Sequence, residues 1–154
     1  MIESASLVGG WTLVEWSASV DGTDAGHPMG PDAGGQLTYT ADGAVSAILH
    51  RAGRPTFGTR HLHQASETQR ADAAATYVSY GGSYELRDDR VHHFVEHSLF
   101  PDWVGTVLVR TAAFEGDRLV LTALPERSAD GRSFENRLVW KRFDPTTSDA
   151  VVAP

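Results

Sequence analysis

The sequence predicts an all-β fold, a closed eight-stranded antiparallel up-and-down barrel with one short helix. Three observations predict it. Eight strand-like segments follow one another with mostly short connections, a single segment of helical period interrupts them, and glycine, 15 of 154 residues, gathers at the junctions. Strands joined by short connections pair with their sequence neighbours. A meander of eight removes its edges by closing, and a barrel of that size holds at most one small ligand. A β-sandwich, with longer Greek-key connections, is the competing architecture.

The elements follow in order. Residues 8–19 form the first strand, rich in β-formers (Trp11, Leu13, Val14, Trp16). Residues 20–34 read as a loop, with Asp21-Gly22, Pro28, Gly30-Pro31 and Asp32. Leu37 and Tyr39 alternate with polar residues across 35–40, Ala41-Asp42-Gly43 signals a hairpin, and 44–50 return with Val45, Ala47 and Leu49 on one face. An irregular loop over 51–63 precedes the helix. Ser66 and Gln69 have capping-box spacing. Ala71, Ala74, Ala75 and Val78 recur at i, i+3, i+4, i+7, which predicts an apolar stripe, and Gly81-Gly82 is expected to end the helix. Strands resume at 80–86, 91–99, 105–114, 119–124 and 134–143.

Length and charge bound the rest. A chain of 154 residues is one domain, here a barrel over residues 1–143 with a flexible tail, rich in small and polar residues, over 144–154. It is long enough to bury roughly 70% of its unfolded surface. With no cysteine there is no disulfide scaffold, thiol nucleophile or cysteine-type zinc site. Lys+Arg is 13 against Asp+Glu 20, a net charge of -7 that argues against a nucleic-acid partner. The N-terminus lacks the basic start and apolar run of a secretory signal. No apolar stretch approaches the ~20 residues that span a bilayer. The expected location is therefore the cytoplasm, with no membrane partner.

Two segments and a hairpin carry a family resemblance. They are Leu7-Val8-Gly9-Gly10-Trp11-Thr12-Leu13-Val14-Glu15-Trp16, the run from His93 to Thr106 with Pro101-Asp102-Trp103-Val104-Gly105 at its end and Arg110 beyond, and Gly35 to Gly43. Over residues 7–143 the chain resembles the lipocalin-like domain family of small bacterial and fungal proteins. The resemblance implies a closed eight-stranded barrel with an internal pocket. It also implies a structural Trp11 at one end, stacked by an arginine of the last strand, Arg137 or Arg142. It does not fix an activity. Some barrels of this general kind serve natural-product pathways as cofactor-free cyclases, isomerases or dehydratases.

The residues themselves offer acid–base chemistry more readily than a metal site. His92 and His93 point to opposite faces of a strand, and His93 and His97 share a face about 13 Å apart at ~3.3 Å per residue, too far for one ion. His61 and His63 lie in a loop with no third ligand in view. No metal and no cofactor are expected. His93 and Glu96 lie within a few residues on one strand, on opposite faces unless a bulge intervenes, and Arg110 lies on the next strand. A buried arginine needs an acidic partner. Glu96 is one candidate, and Glu15, on the Trp11 face by alternation, is the other. The expected catalytic group is His93, Glu96 and Arg110, with Arg110 binding an enolate or carboxylate and His93 or Glu96 moving a proton. The expected ligand contacts are Glu15, Tyr39, Tyr84, Ser98, Trp103 and Trp140, with Tyr80 as a further pocket wall. The expected partner is a small hydrophobic, carbonyl-bearing metabolite such as a polyketide. It is either rearranged without cofactor or simply carried or sensed. A filled, purely structural barrel is the third reading, and a homodimer stays open.

Overall fold

The computed structural model describes residues 2–145. A one-turn helix α1 (Ser4–Leu7) leads into β1 (Gly9–Val20). Then come β2 (Thr23–Asp24), β3 (Gly34–Tyr39), β4 (Ala44–His50), helix α2 (Glu67–Ala75), β5 (Tyr77–Arg87) and β6 (Arg90–Ser98). A 3₁₀ turn over Pro101–Trp103 precedes β7 (Val107–Glu115), β8 (Arg118–Ala123), β9 (Glu126–Arg127) and β10 (Ser133–Arg142). Each long strand pairs antiparallel with its neighbour, and β1 pairs with β10 from Trp11 opposite Arg142 to Val20 opposite Phe134. The sheet is thereby closed. The eight expected strands are β1, β3 to β8 and β10. The two-residue strands β2 and β9 extend the sheet beside the ends of β1 and β10.

The two ends of the barrel differ. Tight turns at residues 40–43, 88–89 and 116–117 gather at one end. There Gly43 and Gly116 take positive φ values of 95° and 61°, which suit glycine. Trp11 closes that end. It is fully buried, donates its indole N–H to the Leu7 carbonyl at 2.9 Å, and lies under the Arg142 guanidinium at 3.9 Å from the ring centre. Arg142 also donates to the carbonyls of Val8 (2.8 Å) and Ser6 (2.7 Å), so it ties the N-terminal turn to the last strand. Of the two arginines expected to stack on Trp11, Arg142 does so. Arg137 instead pairs with Glu115 on the outer wall at 2.8 Å. The longer connections, residues 25–33, 51–76 and 99–106, gather at the opposite end, the mouth.

Inside the barrel, alternation sets the core. Leu37, Tyr39, Val45, Ala47, Leu49, Val91, Val95, Ala112, Leu119, Leu121, Leu138 and Trp140 are buried in one apolar cluster. Apolar strand residues spaced by two share a face, and that face turns inward.

Two β-bulges break the alternation, and the first moves a predicted site residue. In β1 the register slips at Val14, with Leu13 opposite Trp140 and Glu15 already opposite Val139. The extra residue swaps the faces beyond it. Trp16 therefore packs against the core and donates to the Asn136 side chain at 2.9 Å. Glu15, expected on the Trp11 face, stands instead on the outer wall. In β6 the slip falls at Glu96, since His97 faces Gly81 while Val95 faces Gly82. Glu96 is the extra residue and is exposed, and His97 is exposed as well, so it no longer shares a face with buried His93.

Helix α2 is shorter than expected. Its capping box forms, with Ser66 Oγ accepting from the Gln69 N–H at 3.1 Å and the Gln69 side chain accepting from the Ser66 N–H at 2.9 Å. It ends at Ala75, because Thr76, Tyr77 and Val78 are β-branched or aromatic and begin or adjoin a strand. Gly81-Gly82 sits in mid-strand, where a side chain on Gly82 would lie 1.9 Å from the Phe94 carbonyl oxygen. Ala71, Ala74 and Ala75 face solvent and the helix buries no residue. Hydrogen bonds hold it to the mouth instead, with Arg54 donating to Ala73 and Thr76 and Arg70 donating to Ala65. The expected flexible tail falls, beyond residue 145, outside the described residues.

Candidate functional site: a tyrosine–histidine–tyrosine relay in the barrel

The fold brings three polar side chains together on the inner wall. His93 is fully buried in mid-β6, between Tyr84 on β5 and Leu108 on β7. Its Nε2 lies 2.7 Å from the Tyr39 hydroxyl and its Nδ1 2.8 Å from the Tyr80 hydroxyl. Both phenols are buried, at 1% and 5% exposure. The relay runs along the barrel. Tyr39 is the last residue of β3, opposite Gly9 at the closed end, whereas Tyr80 lies opposite Ser98, the last residue of β6, at the mouth. Trp103 stands edge-on against Tyr80, ring centres 5.9 Å apart, and Phe100 stands edge-on against Trp103 at 5.8 Å.

Arg110 completes the group. It lies two residues from Leu108 and two from Ala112, both in contact with the core, so alternation points it inward. Its backbone sits opposite Val91 and Ala123. The expected acidic partners are both on the outer wall, Glu15 through its bulge and Glu96 on the face opposite His93, and among the described residues Arg110 has no ion pair within 4 Å and no hydrogen bond. A half-buried, unpaired guanidinium beside neutral groups is costly unless something else satisfies it.

Electrostatics keep the relay uncharged. Burial, then the positive charge of Arg110, then His92, push the His93 pKa from 6.5 down to about 3. Burial, then the neighbouring Tyr80, hold the Tyr39 hydroxyl well above the usual phenol range, while Arg110 acts in the opposite direction. At neutral pH His93 is a neutral imidazole and Tyr39 a neutral phenol. Such a group donates and relays hydrogen bonds, but His93 is a weak base.

The other predicted contacts divide. Tyr84 is inside, its ring tilted against Tyr39 with centres 4.7 Å apart, and its hydroxyl donates to the Thr40 carbonyl at 3.0 Å. Trp140 is 2% exposed and its indole N–H has no partner among the described residues. Ser98 is half-buried, and its hydroxyl accepts the Phe100 N–H at 3.0 Å, which fixes the turn. Glu15 and Glu96 do not join the group. Tyr80's role is missed by sequence reasoning. The available signal was its i, i+4 spacing from Tyr84 on a strand that neighbours the His93 strand. No group of three or more His, Asp or Glu side chains among the described residues is placed to hold a metal ion.

Buried core side chains line the inner face. Five outward-opening hollows of about 200–470 Å³ mark the outer wall and rim, and none of the five is lined by Tyr39, Tyr80 or His93. One of about 200 Å³ at the rim, between β7 and the segment after β8, is lined by Arg110, Leu108, Ala123 and Glu126 among others.

Residues 8–143 match the lipocalin-like domain family. The chain belongs to that family. This lipocalin-like domain is 27% identical over 111 residues to the 4'-hydroxy-3'-methoxypropiophenone carrier protein ppsC of Aspergillus oryzae, a match that covers 67% of this chain and 100% of that protein. Among solved structures it aligns with a mutant form of the fluorescent protein UnaG at a TM-score of 0.40 and 10% identity, over 91% of this chain and 98% of that one. No helix among the described residues is long and apolar enough to cross a membrane.

Proposed function

We propose that this lipocalin-like domain binds a small hydrophobic, carbonyl-bearing metabolite and holds its oxygen at the Tyr39–His93–Tyr80 relay beside Arg110. One observation carries the reading: a neutral, hydrogen-bonded polar group, with the charge of Arg110 bearing on it, stands in an otherwise apolar barrel. A largely apolar wall with a few convergent donors is how small-molecule sites are built. The relative from Aspergillus oryzae, named as the carrier of an aryl ketone, supports the same ligand class. Trp103 stands against Tyr80 at the mouth, and the ligand enters there by displacing it.

The second reading adds a reaction, a cofactor-free cyclisation, isomerisation or dehydration. Arg110 favours it, since a guanidinium near a bound carbonyl stabilises a developing enolate. His93, at a pKa of about 3, disfavours it as the abstracting base. Binding therefore stands first.

Calorimetric titration of the domain with propiophenone and with propylbenzene, which lacks the oxygen, tests the proposal. The expected result is saturable binding of the ketone, weaker binding of the hydrocarbon, and a smaller difference in Arg110→Gln. Equal affinities for the two ligands would sink it. Incubation of ketone substrates with the domain, read by mass and chromatography, separates carriage from rearrangement: unchanged ligand means carriage.

A further inference from the structure

Counting protons in the relay shows more than its distances do. A neutral imidazole has one N–H and one bare nitrogen. Two phenols on its two nitrogens therefore cannot both donate to it. One hydroxyl donates to the bare nitrogen, the N–H donates to the other oxygen, and that second phenol keeps a proton of its own. His93 is the single hydrogen-bond partner of each hydroxyl among the described residues. One buried O–H thus lacks an acceptor, and a buried donor left unmet costs roughly 1–3 kcal/mol.

Three features assign the direction. Tyr39 sits at the closed end, under Tyr84 at 4.7 Å, where its proton has no exit except His93. The charge of Arg110 bears on Tyr39 and His93. A phenol near a cation favours turning its oxygen toward the charge, and the Nε2 of His93 at 2.7 Å is the acceptor within reach of the Tyr39 proton. Tyr80, by contrast, sits at the mouth, with the Trp103 ring roughly perpendicular to it at 5.9 Å.

We infer that the relay is polarised from Tyr39 through His93 to Tyr80, so that Tyr80 is the ligand-facing donor and Tyr39 is a positioning residue. His93 then carries its proton on Nδ1. The site reads a ligand oxygen as an acceptor: it favours ketones, aldehydes and quinone carbonyls over the corresponding alcohols, whose own proton would duplicate the donor. This rests on the proposed binding reading, and it fixes which atom does the recognising.

Nitrogen-15 NMR of the free, unmodified domain reads the tautomer without any ligand. The expected result is a protonated Nδ1 and a bare Nε2. A protonated Nε2 overturns the assignment, because Tyr39 would then hold the spare proton, and it does so whatever the domain binds. Titration with propiophenone and with its alcohol, 1-phenylpropanol, reads the ligand side. The wild type is expected to prefer the ketone about tenfold, one net hydrogen bond. Tyr80→Phe is expected to abolish that preference, and Tyr39→Phe to reduce it while retaining the sign. Preference unchanged in Tyr80→Phe overturns the inference. A wild type with the expected tautomer that binds neither compound overturns the proposed function and the ligand-facing role with it.

Discussion

His93 is where single-residue physics decides most. Its pKa falls from 6.5 to about 3 on folding, so the unfolded chain binds the extra proton between those values. Stability from this group is therefore fully present above about pH 6.5 and is lost as pH falls toward 3, at a limiting slope of roughly 1.4 kcal/mol per pH unit. Urea midpoints measured from pH 7 to pH 4 are expected to fall more steeply in the wild type than in His93→Gln. Parallel curves would show that His93 is not held neutral. Arg142 is the second such residue. Arg142→Ala removes a stack on Trp11 at 3.9 Å and two carbonyl contacts. It is expected to cost about 1–3 kcal/mol in chemical denaturation, and Arg142→Lys to recover only part, since the planar guanidinium does the stacking.

The elements show how a one-residue slip relocates chemistry. Glu15 and Glu96 were legible as acids near inward positions, and strict alternation would have delivered Glu15 to the interior. The bulge at Val14 sends Glu15 outside, while Glu96 lies outward by alternation from buried His93 and its bulge turns His97 outward too. A bulge depends on tertiary fit, such as the close approach of Gly82 to the Phe94 carbonyl, and leaves almost no mark in one sequence. Gly82→Ala is therefore expected to destabilise the fold by roughly 3 kcal/mol, whereas Gly81→Ala, with its nearest contact at 3.3 Å, is expected to cost far less. Equal melting temperatures for the two variants would contradict the bulge. Helix α2 behaves differently because it buries nothing. Ser66→Ala is expected to speed hydrogen exchange across residues 67–75 by a factor matching about 1 kcal/mol, with barrel protection unchanged. Its capping box could be seen in the sequence. That its alanine stripe faces solvent could not, since exposure is decided by what the mouth leaves uncovered.

At the scale of the molecule the strand count, their succession and the closed barrel were readable, because alternation and turn chemistry act locally. Trp11 and its arginine were readable as a pair of alternatives, resolved by the register that sets Arg142 opposite Trp11. The relay was only half readable. Tyr39 and His93 stood out, but their meeting joins residues 54 positions apart through closure of the sheet. Closure also explains why the domain has two unlike ends, one sealed by Trp11 and tight turns, the other left to longer connections and α2. The proposed ligand path uses that difference: past Trp103 to Tyr80, and from there to His93.

The most direct test of ligand capture at the relay is side-chain NMR of the His93 imidazole during titration with propiophenone. The account expects the Nδ1–H and Nε2 resonances to move saturably, with the same midpoint as the calorimetric binding curve. Saturable binding that leaves both His93 nitrogens unmoved, with shifts confined to the groove between α2, Tyr77 and Leu99, would contradict it.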